Sequence, residues 1–284
     1  MRIGLIIVPY HLGHEGVGMG AGPERLVGAG LPQTLEQHGH EVDVVRIRRQ
    51  DDETNEVGAS FAVLRKVRDS VAEIVDRGAF PLVLAGNCMT SIAVVAGVAR
   101  DVGVVWLDAH ADFNTPETTP SGFQDGMGLA ILTGTGWDAL RETIPGYHAV
   151  EEANVVLLGI RDVDEAEQAR LDASDIQIVL PEGVAQSSEV LDGLRERVGA
   201  VHLHIDLDVL DVSEGRANQY AAPGGLQAAE VERVVRALGE RLPIRAAALT
   251  AYDPSQDPDG RIPAFAARFV TCIAEVATTE AVSA

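Results

Sequence analysis

A chain of 284 residues is long enough for one large α/β domain or two small ones. Its 43 acidic against 22 basic side chains leave a formal charge of −21, which argues against nucleic acid and anionic membranes as partners and suits a soluble protein that tolerates a carboxylate-rich site. The apolar run within residues 1–9 is too short for a signal peptide, no later run reaches about 18 apolar residues, and the two cysteines, Cys88 and Cys272, lie far apart. A cytoplasmic protein without a disulfide scaffold is therefore expected.

In chain order, apolar and β-rich runs at residues 3–8, 42–47, 81–85, 102–106, 154–158, 176–179, 201–205 and 245–249 are predicted strands. Between them, residues 61–77, 91–100, 185–198 and 228–242 carry apolar side chains at three- and four-residue intervals, which predicts helices. Ser187 and Ser188 read as the start of the third of these and Gly199 as its stop. Strands alternating with helices predict an eight-stranded parallel sheet in a three-layer αβα domain spanning residues 1–284, with no linker, internal repeat or low-complexity segment.

The stretch Trp106-Leu107-Asp108-Ala109-His110-Ala111-Asp112-Phe113-Asn114 puts two carboxylates and an imidazole just past a buried-looking strand, where open α/β sheets place their sites. If the segment stays extended, Asp108, His110 and Asp112 all point the same way. A second segment, His202-Leu203-His204-Ile205-Asp206-Leu207-Asp208, is again a strand ending in carboxylates. Close like charges force one carboxyl to keep its proton unless a cation sits between them. Asp108, Asp112, Asp206 and Asp208 with His110 form an oxygen-rich set that suits Mn²⁺ or a similar ion. There are enough donors for two ions about 3.5 Å apart. The alternative, one aspartate capping a helix and a histidine merely satisfied, leaves the other carboxylates without a reason.

With both clusters on strand ends, the chain resembles, nearly end to end, the ureohydrolase family of arginases, agmatinases and formimidoylglutamases. Gly20-Ala21-Gly22-Pro23-Glu24-Arg25-Leu26 with Gly28-Ala29-Gly30-Leu31 looks like that family's glycine-proline entry into its first helix. Asp-Ala-His-x-Asp-x-Asn and Asp-x-Asp are its metal motifs. The resemblance implies eight parallel strands and a di-manganese centre in which Asp108 and Asp206 bridge both ions, Asp112 completes one site, and His110 and Asp208 complete the other. It also implies a homo-oligomer, often a trimer or hexamer. A guanidino carbon is resonance-stabilised and a poor electrophile, so water activated between two cations answers the difficulty of attacking it.

The loop Asp112-Phe113-Asn114-Thr115-Pro116-Glu117-Thr118-Thr119-Pro120-Ser121-Gly122 resembles arginases in particular, whose positions matching Asn114 and Ser121 hold the substrate α-carboxylate. Leu158-Gly159-Ile160-Arg161-Asp162-Val163-Asp164 resembles the arginase stretch whose last aspartate faces the α-amino group. Read alone, Asn114 and Ser121 could equally organise a turn, and Thr115, Thr118 and Thr119 are taken as loop residues.

The chain also departs from the family. Where a Gly-Gly-Asp-His-Ser motif supplies a metal-ligating histidine, it has Ala85-Gly86-Asn87-Cys88-Met89. Cys88 is either a softer ligand or an inert buried thiol, and a cysteine here also marks the Nω-hydroxy-L-arginine amidinohydrolases. Asp125 follows Ser121-Gly122 near the place of a proton-shuttling histidine, though an unperturbed aspartate, with a pKa of about 4, suits that role less well unless burial raises it. Ala251 falls at a glutamate that pairs with the guanidinium, which disfavours a fully cationic head unless Asp253 or Asp125 substitutes. Tyr220 either reshapes the pocket or packs in its loop. His204 is either a support to the metal ligands or a satisfied buried histidine, with His202 a step further away. His11, His14 and Glu15 line the entrance or are solvated, and Met19, Met89 and Met127 fill apolar gaps.

The expected activity is a metal-dependent amidinohydrolase that uses Asp108, Asp206 and Asp125 to cleave a C–N bond of a guanidino or hydroxyguanidino amino acid. The alternatives are hydrolysis of another amidine, agmatine-like or formimino, and a metal-binding protein of the same fold without activity.

Overall fold

The computed structural model describes residues 1–49, 53–98 and 101–281. The strands β1 (Arg2–Val8), β2 (Glu41–Arg46), β3 (Phe80–Ala85), β4 (Val102–Leu107), β5 (Val155–Leu158), β6 (Gln177–Val179), β7 (Ala200–Asp206) and β8 (Ile244–Thr250) form one eight-stranded sheet. Its order is β2-β1-β3-β8-β7-β4-β5-β6, and every ladder is parallel. Each predicted strand is present, with ends shifted by no more than a residue or two.

Among the described residues the α-helices are α1 (Gly22–Gly28), α2 (Leu31–Gln37), α3 (Glu56–Asp76), α4 (Thr90–Gly97), α5 (Gly128–Leu132), α6 (Asp138–Arg141), α7 (Glu165–Asp172), α8 (Ser188–Arg195), α9 (Ala228–Gly239) and α10 (Ile262–Ala281). Side chains alternate across a strand, and the two cores follow that period. Ile3, Leu5 and Ile7 of β1 join Leu203 and Ile205 of β7 against Leu26, Leu35, Leu191, Val235 and Phe269, from α1, α2, α8, α9 and α10. Ile6 and Val8 join Val104 and Trp106 against Phe61, Ile92, Ile131 and Leu171, from α3, α4, α5 and α7. Apolar burial on both faces is the signature of a parallel sheet covered twice.

Local signals set the helix starts. Pro23 and Pro32 occupy the first turns of α1 and α2, where the missing N–H costs nothing. Asn55 accepts a hydrogen bond from the Gly58 N–H at 3.1 Å, so α3 begins at Glu56, ahead of the predicted residue 61. The helix predicted over 91–100 ends at Gly97, and residues 99 and 100 lie outside those described. The one predicted over 185–198 divides into a 3₁₀ segment, Pro181–Gln186, and α8, and the Ser187 side chain makes no capping bond. Not predicted were α2, α5, α6, α7 and α10, although in α10 Ile262, Ala266, Phe269, Val270 and Ile273 recur on its buried face at helical spacing.

Candidate active site at the strand ends

Loops leaving the carboxyl ends of five adjacent strands, β3, β8, β7, β4 and β5, meet over one cavity of about 270 Å³. Its lining includes Cys88, His110, Asp112, Asn114, Ser121, Asp125, Asp164, Asp206 and Asp208. Residues separated by more than a hundred positions come together because β3 and β4 flank β8 and β7 in the sheet.

The carboxylates converge for a different reason than the spacing suggested. The strand stops at Leu107, the chain bends through Ala109 and His110, and Asp112 is left-handed at φ 50°. Likewise Asp206 closes β7, and Leu207–Val209 turns as a 3₁₀ segment. Extended alternation therefore does not aim these side chains; turns at the strand ends do. Backbone hydrogen bonds hold the turns: His110 N–H donates to Asp108 Oδ1 at 2.8 Å and Asp208 N–H donates to Asp206 Oδ1 at 2.7 Å. Ala109 N–H reaches Asp208 Oδ1 at 3.2 Å, tying one segment to the other.

His110 Nδ1 lies 3.4 Å from both Asp108 Oδ1 and Asp208 Oδ2. Asp108 Oδ2 accepts the Trp106 Nε1–H at 3.0 Å, and Asp208 Oδ2 accepts from Asn218 Nδ2 at 3.0 Å. Cys88 Sγ donates to Asp206 Oδ2 at 2.9 Å. Gly86 permits this placement, because a Cβ there would stand 2.3 Å from the Tyr10 carbonyl oxygen.

So many buried carboxyls strain one another electrostatically. Burial first, then Asp208, pushes Asp108 up to about 6. Burial and neighbouring carboxylates raise Asp112 and Asp206 as well. Asp208 is held below the usual range by His110, against burial acting the other way. Burial, then Asp206, pushes the Cys88 thiol up. Asp112 Oδ2 is buried without any hydrogen-bond partner among the described residues. A buried anionic oxygen with no donor is costly, and a cation would satisfy it. Two groups of donor atoms lie within 4.8 Å of one another, Cys88 with Asp108 and His204, and Asp108 with His110 and Asp208. This oxygen-rich, mixed donor set fits divalent metal.

Asp125 is buried, its Oδ2 accepting from Asn87 Nδ2 at 2.6 Å and its Oδ1 from the Met89 N–H at 3.0 Å, and burial raises its pKa. Elsewhere in the lining, Asn114 Nδ2 donates to Asp164 Oδ2 at 3.0 Å, while the Thr118 hydroxyl donates to Asn114 Oδ1 at 3.0 Å. Asp164 caps α7, and Ser121 is exposed at the rim. Ala251, just past β8, lines the cavity at φ 61° and places no carboxylate there. Tyr220 also lines it, with its ring 5.2 Å from that of Phe123 and 6.4 Å from that of His110, so it shapes the pocket. Met19 lines it too, whereas His14 and Glu15 are solvent-exposed.

Glu167 also lines the cavity and was not among the expected site residues. It is 3% exposed and accepts the Phe113 N–H at 2.7 Å. Its signal was the Asp-x-x-Glu capping box it forms with Asp164. Thr118, taken as loop, orients Asn114.

A doubly wound parallel sheet with an acidic, metal-suited cluster at its strand ends defines the class. A family model described as the arginase family matches residues 1–275, and the chain belongs to that family. It is 34% identical over 275 residues to an arginase of Bacillus caldovelox, covering 90% of this chain and 92% of the relative. To an arginase of Bacillus subtilis it is 30% identical, covering 90% and 91%. The crystal structure of the Bacillus caldovelox arginase superposes with a TM-score of 0.87 at 31% identity, covering 96% of this chain and 97% of that one. A formimidoylglutamase of Bacillus subtilis, at 19% identity and a TM-score of 0.76 over 97% of this chain and 86% of that one, shares the fold.

Proposed function

We propose that the chain is a binuclear metal-dependent amidinohydrolase that acts on a guanidino or hydroxyguanidino α-amino acid. The observation that carries this reading is that one cavity is lined both by a buried acidic cluster with the orphaned Asp112 Oδ2 and by the hydrogen-bonded Asn114–Asp164 pair. Asp108 and Asp206 would be shared between two divalent ions, Mn²⁺ by preference. Cys88 and Asp112 would complete one site, and His110 and Asp208 the other. Two such ions would supply Lewis acidity and a water acidic enough to yield hydroxide near neutral pH.

The chain's own groups carry the rest. Asn114 and Ser121 would orient the substrate carboxylate and Asp164 its ammonium, which puts the planar head over the acidic floor. Hydrolysis adds water across the head's central carbon, and the C–N bond to the amino-acid side chain breaks. The leaving nitrogen takes a proton, which Asp125 can deliver because its raised pKa makes it a better acid near neutrality than an exposed aspartate. The products are ornithine with urea from arginine, or with hydroxyurea from Nω-hydroxyarginine.

Ala251 favours the second substrate, because a cationic guanidinium finds no carboxylate at that position. Metal analysis combined with product detection on arginine and Nω-hydroxyarginine tests this. Faster release of hydroxyurea than of urea is expected. Release of neither from any guanidino compound, with metal content unchanged by Asp108→Ala, overturns the reading.

A further inference from the structure

Beneath the acidic floor, His202 and His204 are both fully buried on β7 and share one hydroxyl, that of Ser91. Their proton positions follow from their partners. His202 Nδ1 lies 3.3 Å from the Ala246 carbonyl oxygen, which can only accept, so that nitrogen carries the hydrogen. A buried imidazolium facing no carboxylate is too costly, so His202 is neutral and its Nε2 accepts the Ser91 hydroxyl at 2.9 Å. The Ser91 oxygen is then left to accept from His204 Nδ1 at 2.8 Å. His204 therefore keeps a bare lone pair on Nε2.

That nitrogen is on the Cys88 side of the ring, since the Thr250 hydroxyl beside it lies 3.3 Å from Cys88 Sγ. Donor atoms of His204, Cys88 and Asp108 lie within 4.8 Å of one another. The other atom recorded near Nε2 is the Thr250 hydroxyl, at a long 3.4 Å. The ring is stacked on Trp106 with centroids 3.6 Å apart, which fixes its plane. A histidine whose one nitrogen is tied to a hydrogen-bond acceptor while the other faces acidic donors has the arrangement of a metal ligand with its supporting partner.

We propose that His204 Nε2 is a metal ligand, joining Cys88 Sγ and an Asp108 carboxylate oxygen around the ion on the Cys88 side. The inference rests on the two-ion reading above. It gives that ion a nitrogen donor from β7, in a chain where the loop after β3 supplies sulfur instead of imidazole. A cysteine side chain reaches less far than a histidine, and the His204 donor atom, rising from β7, already lies within 4.8 Å of Cys88 Sγ.

The test is nitrogen NMR of the full chain with ¹⁵N-labelled histidine, metal-free and then loaded with Zn²⁺, chosen because it is diamagnetic. Two imidazoles, those of His110 and His204, are expected to show a coordination shift, with the second assigned through His204→Gln. That variant is expected to lose about tenfold to a hundredfold in Zn²⁺ affinity at one site. A shift confined to His110 overturns the inference and leaves the two-ion reading standing, whereas no imidazole shift at all overturns both. Where His204→Gln fails to fold, the second shifted imidazole is assigned by its nuclear Overhauser contacts to the Trp106 ring stacked 3.6 Å away.

Discussion

Cys88 Sγ donates to Asp206 Oδ2 at 2.9 Å, joining the loop after β3 to the end of β7 across 118 residues of sequence. The thiol keeps its proton there because burial and Asp206 both oppose a thiolate. A divalent ion reverses that balance by favouring the deprotonated sulfur. Cys88→His supplies a harder donor, and Mn²⁺ affinity is expected to rise by about tenfold. Unchanged Mn²⁺ occupancy in a metal titration counts against Cys88 as a ligand.

The acidic floor makes metal-free stability depend on pH. Asp108 is pushed up to about 6, and Asp112 and Asp206 are raised with it. A carboxyl whose folded pKa exceeds its unfolded value of about 4 binds its proton more tightly when folded. Its stabilisation is full below about pH 4 and is lost as pH rises through about 6. Asp208, with a lowered pKa, contributes in the opposite sense, and its share is constant above about pH 5. Metal-stripped protein should therefore melt several degrees higher near pH 5.5 than near pH 8, while Mn²⁺-loaded protein shows a smaller difference. Equal pH dependence in the two forms would falsify the account.

Asn114 and Asp164, both in the cavity lining, touch at 3.0 Å. Asn114→Ala should raise KM for arginine and Nω-hydroxyarginine by about tenfold or more, with a small change in kcat, because it removes binding common to ground and transition states. Agmatine lacks the carboxylate and should be unaffected. An equal rise for agmatine would show that Asn114 only shapes its loop.

Ala251 already occupies a left-handed backbone position, so a longer side chain there adds little strain beyond what alanine pays. Ala251→Glu places a carboxylate in the cavity beside a cationic head. The ratio of kcat/KM for arginine to that for Nω-hydroxyarginine should increase by about tenfold. An unaltered ratio removes Ala251 as the reason for a less basic substrate.

Trp106 Nε1 donates to Asp108 Oδ2 at 3.0 Å, and its ring is fully buried. Trp106→Phe keeps an aromatic ring in the core and deletes that donor. Metal affinity should fall by about tenfold, and the folded state should lose about 1–3 kcal/mol. Calorimetric titration with Mn²⁺ checks the first value and denaturant melts the second; no loss of affinity means that Asp108 needs no orientation from Trp106.

Much of this was legible in the residues. Continuous apolar runs mark strands buried on both faces, and period-three-to-four runs mark helices that bury one; Ile3, Leu5 and Ile7 opposite Ile6 and Val8 show the first rule at work in β1. Helices such as α10, which follow no strand of acidic interest but obey the same period, were equally present in the pattern. Motif spacing pointed to the candidate site as far as Asp108, His110, Asp112, Asp206 and Asp208, since carboxylates crowded at strand ends need a counter-charge.

Periodicity tells which face a side chain takes and says nothing of which strand lies beside which. The sheet order sets β3 and β8 next to each other and β7 next to β4, and it alone brings Cys88 to Asp206 and His204 to within reach of Asp108. The turns at Asp108 and Asp206 are closed by bonds spanning two residues, but Ala109 N–H to Asp208 Oδ1, spanning 99, sets one turn against the other. The sequence by itself thus determined the strands, part of the helices, the family and the chemical character of the cluster. The tertiary structure decided which donors face one another, because that depends on strand neighbours and inter-segment hydrogen bonds distant in sequence, which no local pattern encodes.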